Sequence, residues 1–247
     1  MKRKDRPTTR RKMLRNLGIA GFSASGLVLF TSDRTTGNTY AQEMQTSNPE
    51  EIRVAWTERY NGTELEADGT DDRSEYGPVI DLGNVLPGDS GSLSVRVEPE
   101  GDGDNGAEYS LSMRMNLDSI AENGITEPER KGGPDSDPDT TPNVGELQDE
   151  IQVTVGYDSG VLGTSLLACD GSLSIGEFGE IASGSLADVA STLEDGISLD
   201  PPMQNACFAP DEGACVVLAW DLPESVGNSV QTDSVRFDLA FGSEACE

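Results

Sequence analysis

The sequence predicts an all-β protein, an antiparallel β-sandwich with one short helix and acidic loops. In most segments apolar residues alternate with polar residues rather than recurring at helical spacing. An alternating strand has one buried face and one solvated face, as in the sheets of an antiparallel sandwich. Turns rich in Gly, Pro and Asp, such as residues 86–89, separate these segments. The predicted strands cover residues 52–56, 93–97, 109–115, 151–155, 216–222 and 235–241.

One helix is predicted to begin after Ser185, because Ser185 and Asp188 have the spacing of an N-terminal capping box. Gly196 supplies the C-terminal stop signal. Between these signals lies an apolar stripe at helical spacing, formed by Leu186, Val189, Ala190 and Leu193. Residues 61–75 and 127–143 are too polar to pack against a core, and we interpret both stretches as acidic loops.

Residues 1–41 are predicted to be an export signal of the twin-arginine type. Eight basic residues fall within the first fifteen positions and precede an apolar run over residues 17–30. That run is shorter than the roughly 20 residues that cross a bilayer. Arg10 and Arg11 stand where the twin-arginine consensus has its arginine pair. We therefore expect a secreted or cell-surface protein with no stable membrane span after processing; a general secretory signal and an uncleaved anchor are the alternatives.

The charge of the chain is strongly negative once the signal is set aside. The whole sequence carries a formal net charge of −28. Residues 1–41 hold nine of the 17 basic and two of the 45 acidic residues, so residues 42–247 carry −35. At about 1 M salt the Debye length falls to about 3 Å and screens this self-repulsion. The charge indicates adaptation to molar salt, and it excludes nucleic acid as a partner because phosphate binding needs basic patches.

Four cysteines lie in the C-terminal third of the chain. An even number in an exported protein predicts two disulfides with three possible connectivities. We favour a short loop closed by Cys207 and Cys215, which leaves Cys169 to pair with Cys246. A zinc site is disfavoured, because the chain has no histidine and no Cys-x-x-Cys motif.

No catalytic residues are predicted. Histidine is absent, and Lys131 is the only lysine after the signal, so the common general bases and the serine–lysine schemes lack their parts. Two Asp-Ser-Gly triplets begin at Asp89 and Asp158, and a pair of such carboxylates serves aspartic proteases. Both triplets lie in turns of an Asp-rich chain, so a peptidase is only the third-ranked function.

A weak calcium-binding candidate lies in the second acidic loop. Four acids occupy positions 1, 3, 5 and 12 of a calcium-loop template: Asp135, Asp137, Asp139 and Glu146. Thr140 stands where the template needs glycine, so a solvated acidic loop is the favoured interpretation. We expect no cofactor and no other metal. Asn61 begins an Asn-Gly-Thr sequon, which makes it a possible glycosylation site.

Several motifs in order along residues 42–247 resemble the TasA/camelysin family of secreted fibre-forming proteins, and in particular its acidic haloarchaeal branch. They are residues 56–62 (WTERYNG), 78–82 (PVIDL), 85–89 (VLPGD), 122–124 (ENG), 127–129 (EPE), 150–155 (EIQVTV), 157–158 (YD), 184–188 (GSLAD) and 227–234 (GNSVQTDS). No single motif is as specific as a nucleotide-binding loop. Their order and spacing together carry the resemblance.

The resemblance implies a jelly-roll-like sandwich whose copies assemble into biofilm-matrix filaments or bundling pili. In such families an N-terminal strand completes the sheet of the next subunit. Residues 42–62 would form the N-terminal segment and residues 63–247 the sandwich domain. The donor strand would be residues 51–60, with an inserted face made of Ile52, Val54 and Trp56. The partner would be the protein itself, as a homopolymer, together with other matrix proteins.

Two alternatives to strand donation follow from the same residues. The strand at residues 51–60 can instead pair within its own subunit, which would leave a monomeric surface module that binds calcium or an extracellular ligand. Some members of the family are described as metalloproteases, but this chain has no histidine to match their zinc ligands. It also differs from bacterial members in its cysteines and its twin-arginine signal.

Overall fold

The described residues of this computed structural model form a sandwich of two antiparallel sheets, which confirms the predicted fold class. They are residues 42–45, 52–69, 76–100, 107–127, 144–159, 169, 171, 179–200, 206–210 and 212–246. The strands are β1 (Gln42–Gln45), β2 (Ile52–Tyr60), β3 (Thr63–Gly69), β4 (Tyr76–Gly83), β5 (Ser90–Pro99), β6 (Tyr109–Ala121), β7 (Gln152–Tyr157), β8 (Glu180–Ser185), β9 (Ile197–Ser198), β10 (Ala214–Asp221) and β11 (Ser234–Ala245). The helices are α1 (Leu147–Glu150) and α2 (Leu186–Leu193).

The two sheets are built from strands that are far apart in the sequence. One sheet has six strands in the order β3–β2–β5–β10–β7–β8, and the other has five in the order β1–β4–β11–β6–β9. The chain crosses repeatedly from one sheet to the other, so hydrogen-bonded neighbours are seldom consecutive. The apolar faces of both sheets enclose one continuous core, which includes Trp56, Val95, Met113, Phe237 and Phe241.

Helix α2 confirms the predicted helix in detail. The Ser185 hydroxyl accepts a hydrogen bond from the Asp188 backbone N–H at 3.1 Å, which satisfies one of the free donors of the first turn. The four residues of the predicted stripe are all buried. Gly196 follows the helix with a φ of +83°, the left-handed conformation that glycine adopts without strain.

The interpretation of residues 61–75 as a loop is wrong for their first half, because residues 63–69 form β3. Strands β2 and β3 are joined by Asn61 and Gly62, whose φ angles are +48° and +75°. Positive φ at both central residues is the requirement of the tight hairpin turn that Asn-Gly favours. Strand β3 is polar in sequence and lies at the edge of its sheet, and its Leu65 packs against the core.

The favoured disulfide pairing is also wrong. The bridges join Cys169 to Cys215 and Cys207 to Cys246, with Cα–Cα distances of 5.5 and 6.3 Å. Cys215 lies in β10 of the six-stranded sheet, whereas Cys207 precedes a bridge to β6 in the five-stranded sheet. Packed sheets are about 10 Å apart, which is too far for a bridge between these two cysteines.

Backbone pairing explains why each cysteine has its observed partner. The Asp158 N–H donates to the Cys215 carbonyl, and the Cys169 N–H donates to the Asp158 carbonyl, so residue 158 holds these two cysteines together. Phe208 pairs with Tyr109 at the start of β6, and the Cys246 N–H donates to the Glu108 carbonyl beside it. These contacts are long-range, so loop length alone does not reveal them.

The predicted export signal, including Arg10 and Arg11, lies outside the described residues. Within the described part of the chain, no helix is long and apolar enough to cross a bilayer.

We predict that the two observed bridges are recovered by peptide mapping under non-reducing conditions. Replacing Cys207 and Cys246 by serine should cost about 3–4 kcal/mol of unfolding free energy, because that bridge closes a loop with a sequence separation of 39 residues. Denaturant unfolding measures the loss. A peptide in which Cys207 is linked to Cys215 would contradict the structure.

A second prediction concerns Gly91, which lies opposite both Tyr60 and Trp220 in the six-stranded sheet. The two rings are 5.7 Å apart, and a Cβ at position 91 would lie 2.6 Å from the Trp220 indole. We expect Gly91→Ala to lower the unfolding free energy by about 1–3 kcal/mol through overpacking. Gly83→Ala is the matched control in denaturant unfolding, because its Cβ would meet only Ser234 at 3.6 Å and should be tolerated.

Candidate functional site

The predicted donor segment forms β2, which lies inside the six-stranded sheet of its own subunit. All nine residues of β2 pair with β5, and six of them pair with β3 on the other side. Ile52, Val54 and Trp56 face the core and are at most 4% exposed. Within one chain, this segment is therefore an internal strand of its own sheet. The three residues that face the core are those that the sequence predicted for the inserted face of a donor strand.

The first strand of the described chain, β1, lies at an edge. Its four residues pair with β4 only, and β9 forms the opposite edge of the five-stranded sheet. In the six-stranded sheet the outer strands are β3 and β8. Among the described residues, each of these four strands has one strand neighbour, so each presents backbone groups that a further strand could pair with.

Asp89 has a structural role in holding the β2–β3 hairpin. Its carboxylate accepts hydrogen bonds from the Tyr60 hydroxyl at 2.7 Å and from the Asn61 side-chain amide at 3.0 Å. It also accepts one from the Leu86 N–H at 2.9 Å. Asp89 thus fixes the hairpin against the turn between β4 and β5.

The two Asp-Ser-Gly aspartates do not form a pair. Asp89 bonds through its backbone to Leu222 beyond one end of β10, whereas Asp158 bonds to Cys215 at the other end. Seven residues of extended strand separate those contacts by about 20 Å. The Asp158 carboxylate accepts a hydrogen bond from the Gly171 N–H at 2.8 Å. Two carboxylates at this distance cannot share a proton as the aspartic protease pair does.

Asn61, the possible glycosylation site, is exposed in the hairpin turn. Its side-chain carbonyl accepts a hydrogen bond from the Ser90 N–H at 3.0 Å, and its amide nitrogen donates to Asp89. The turn geometry and these hydrogen bonds are a structural reason for the Asn-Gly pair, independent of glycosylation. One amide hydrogen is left for modification.

Three carboxylates from distant parts of the sequence meet in a buried cluster. Glu122 follows β6, Glu146 precedes α1 and Asp233 precedes β11. One oxygen from each side chain lies within 4.8 Å of the other two. We call these three residues the carboxylate cluster. Asp233 is completely buried, and the two glutamates are partly buried.

Hydrogen bonds orient two members of the cluster. Asp233 Oδ2 accepts from the N–H groups of Glu146 and Leu147 at 2.7 and 3.2 Å, at the start of α1, where backbone N–H groups have no acceptor within the helix itself. Glu122 Oε1 accepts from the Gly124 N–H at 2.8 Å. The other oxygen of each, Asp233 Oδ1 and Glu122 Oε2, is buried and accepts no hydrogen bond.

The pKa of Asp233 is raised to about 7. Desolvation by burial is the largest cause, and the N–H of Glu146 opposes it. Glu122 raises the pKa further through a side-chain hydrogen bond with Asp233 and through its charge, and the charge of Glu146 acts in the same direction. Both neighbouring charges that act on Asp233 are negative, so the cluster needs a positive partner to hold three ionised carboxylates.

Of the three cluster residues, only Glu146 is a predicted ligand, and the sequence assigns it to a different site, the calcium-loop template. Glu146 is the last acid of the calcium-loop template, while Asp135, Asp137 and Asp139 lie outside the described residues. Glu122 and Asp233 were not predicted as ligands. The sequence places both at strand ends, and the pairing of Ser234 with Ala121 brings those ends together. That pairing is not visible in the sequence.

Two segments that carry the family resemblance also meet at the cluster. Residues 122–124 and 227–234 contribute Glu122 and Asp233, and the Asn123 amide donates to the Thr232 carbonyl at 3.0 Å and to the Ser234 hydroxyl at 2.9 Å. Comparison of the chain with protein-family models, with curated proteins and with solved structures gives no match. The family resemblance therefore rests on these sequence motifs.

Proposed function

We propose that this chain is a secreted, non-catalytic structural protein that assembles into extracellular filaments by strand donation. In the filament, β2 of one subunit would pair with β5 of the next. The resemblance to fibre-forming proteins motivates the proposal. The observation that carries it is the place of β2, an early strand of the described chain that nevertheless supplies part of the central core.

Exchange of β2 between subunits replaces contacts within one subunit by the same contacts between two subunits. The side chains of Ile52, Val54 and Trp56 each contribute about 1.5–3 kcal/mol when they are buried. A subunit that gives up β2 exposes the edge of β5 and loses that contribution. The same contacts form again when the β2 of a neighbour pairs with that edge, as in other exchanges of identical elements between subunits.

The geometry of the hairpin extends the proposed donor beyond β2. Among the described strands, β3 pairs only with β2, and the tight Asn61–Gly62 turn joins them. If β2 leaves its own sheet, β3 loses its partner. We therefore propose that the two strands are donated together as a hairpin. Asp89 of the accepting subunit would then bind Tyr60 and Asn61 of the donor.

A pair of engineered cysteines tests whether β2 is donated. Ala55 of β2 and Arg96 of β5 are directly opposed, and both side chains are exposed. Opposed residues in antiparallel strands have Cβ atoms close enough for a disulfide. In the double variant Ala55→Cys with Arg96→Cys, strand donation should link neighbouring subunits and give a ladder of covalent multimers on a non-reducing gel.

The two single-cysteine variants are the matched controls, because each retains one new thiol without its partner and should give no ladder. Electron microscopy of the same preparation shows whether filaments are present. Filaments in which the double variant is cross-linked only within single subunits would contradict donation of β2. A protein that stays a closed monomer at high concentration in molar salt would contradict the proposed function as a whole.

A further inference from the structure

We propose that the carboxylate cluster is a calcium-binding site that ties together the end of β6, the start of α1 and the start of β11. The site is distinct from the linear calcium-loop template, with which it shares only Glu146. It does not depend on filament assembly, because all three residues belong to one subunit.

The spacing of the cluster fits one ion. Calcium binds oxygen ligands at about 2.3–2.6 Å, so two oxygens on the same ion are at most about 5 Å apart. The three carboxylate oxygens lie within 4.8 Å of one another. Oxygens this close together are compatible with coordination of a single ion.

Asp233 is the residue that points most directly to a ligand. Its side chain is completely buried, and Oδ1 accepts no hydrogen bond. An ionised carboxylate is costly to bury unless it is paired or coordinates a metal. Its neighbours in the cluster are two further acids, which increase that cost. A bound cation removes the repulsion and supplies Oδ1 with its missing partner.

The cluster is also preorganised for coordination. The N–H groups of Glu146 and Leu147 hold Asp233 Oδ2, and the Gly124 N–H holds Glu122 Oε1. Asp233 Oδ1 and Glu122 Oε2 are not used by these hydrogen bonds and can serve as ligand atoms. Ligands that are already held in place lose little conformational entropy on binding.

The ligand chemistry favours calcium among the common metal ions. All three side chains offer hard carboxylate oxygens, and the chain has no histidine, so the site suits calcium or magnesium rather than zinc or copper. Magnesium needs a near-ideal octahedron and usually keeps several waters. Three converging carboxylates in a largely buried position suit calcium, whose coordination is more flexible.

The consequence for the fold is a cross-link between remote segments. In the sequence, Glu122 and Glu146 lie on either side of the long acidic stretch between β6 and α1. Asp233 lies much later in the chain, and an ion bound by all three residues would link these segments. A ligand that binds only the folded state stabilises it by mass action. Calcium should thus stabilise the whole sandwich rather than one loop.

Thermal unfolding with calcium chloride tests the proposal at about 1 M KCl, where the Debye length of about 3 Å suppresses general electrostatic effects. Calcium at 100 times its dissociation constant should raise the Tm of the protein by roughly 5–10 °C, and a chelator should reverse the shift. Isothermal titration calorimetry should give one site per chain.

Asp233→Asn should weaken calcium binding without lowering the calcium-free Tm. It keeps an oxygen for the N–H groups of α1 but removes one buried negative charge, so the calcium-free Tm should stay equal or rise. The calcium affinity should fall at least tenfold, because one ligand charge is lost. Glu122→Gln is the second variant, and it should lower the calcium affinity by a similar factor while retaining an acceptor for Gly124.

Two control variants separate this site from other acidic residues. Changing the exposed residues Glu194, Asp195 and Glu224 to their amides removes three surface charges and should alter the calcium affinity less than twofold. Changing Asp135, Asp137 and Asp139 to asparagine should likewise leave it unchanged.

Four results would overturn the proposal. The first is a Tm that calcium does not change, as expected if a proton shared by Glu122 and Asp233 neutralises the cluster. The second is an equal response to magnesium. The third is an equal loss of affinity in the exposed-residue control. The fourth is a loss of affinity in the variant of Asp135, Asp137 and Asp139 while Glu122→Gln retains it.

Discussion

The fold of this chain depends on the pairing of β2 with β5, because this pairing places the N-terminal apolar face against the common core. Residues 52–60 form a continuous ladder with β5, and among the described strands β3 pairs only with β2. The same strand contributes Trp56 and Tyr60 to the core. Without β2, the six-stranded sheet would lose two strands and the core would open to solvent on one side.

This dependence connects the fold to the proposed function. A strand that is essential to the core and belongs to an early part of the chain can be supplied by the chain itself or by a neighbour, and the contacts are the same in both cases. Asp89 provides specificity at the hairpin because its carboxylate accepts hydrogen bonds from both the Tyr60 hydroxyl and the Asn61 amide. The two bridges, Cys169–Cys215 and Cys207–Cys246, fasten other parts of the sandwich and leave the β2–β3 hairpin without a covalent restraint.

The excess of acidic residues has two different physical consequences. On the surface, carboxylates such as those of Glu194 and Asp195 are solvated, and molar salt screens their mutual repulsion. In the carboxylate cluster, salt in the solvent cannot screen Asp233 in the same way because the side chain is completely buried. The proposed calcium ion would neutralise the cluster at this point, whereas bulk electrolyte is enough to screen the exposed carboxylates.

The sequence by itself determined the local structure. Alternating apolar residues identified the long strands β2, β5, β6, β7, β10 and β11, because a half-buried strand imposes a period of two. The capping signal at Ser185 and the apolar stripe behind it identified α2. The Asn-Gly pair at residue 61 was recognised only as a sequon, although the same pair is also a hairpin signal that would have revealed β3.

Only the tertiary structure decided which remote residues meet. The disulfide partners follow from the sheet to which each cysteine belongs, and strand order is not encoded in any local pattern. The carboxylate cluster likewise forms because β6 and β11 are neighbours whose ends coincide, which brings Glu122 to Asp233 across more than a hundred residues. Local periodicity reports the solvent exposure of each residue, whereas contacts between strands depend on the packing of the whole core.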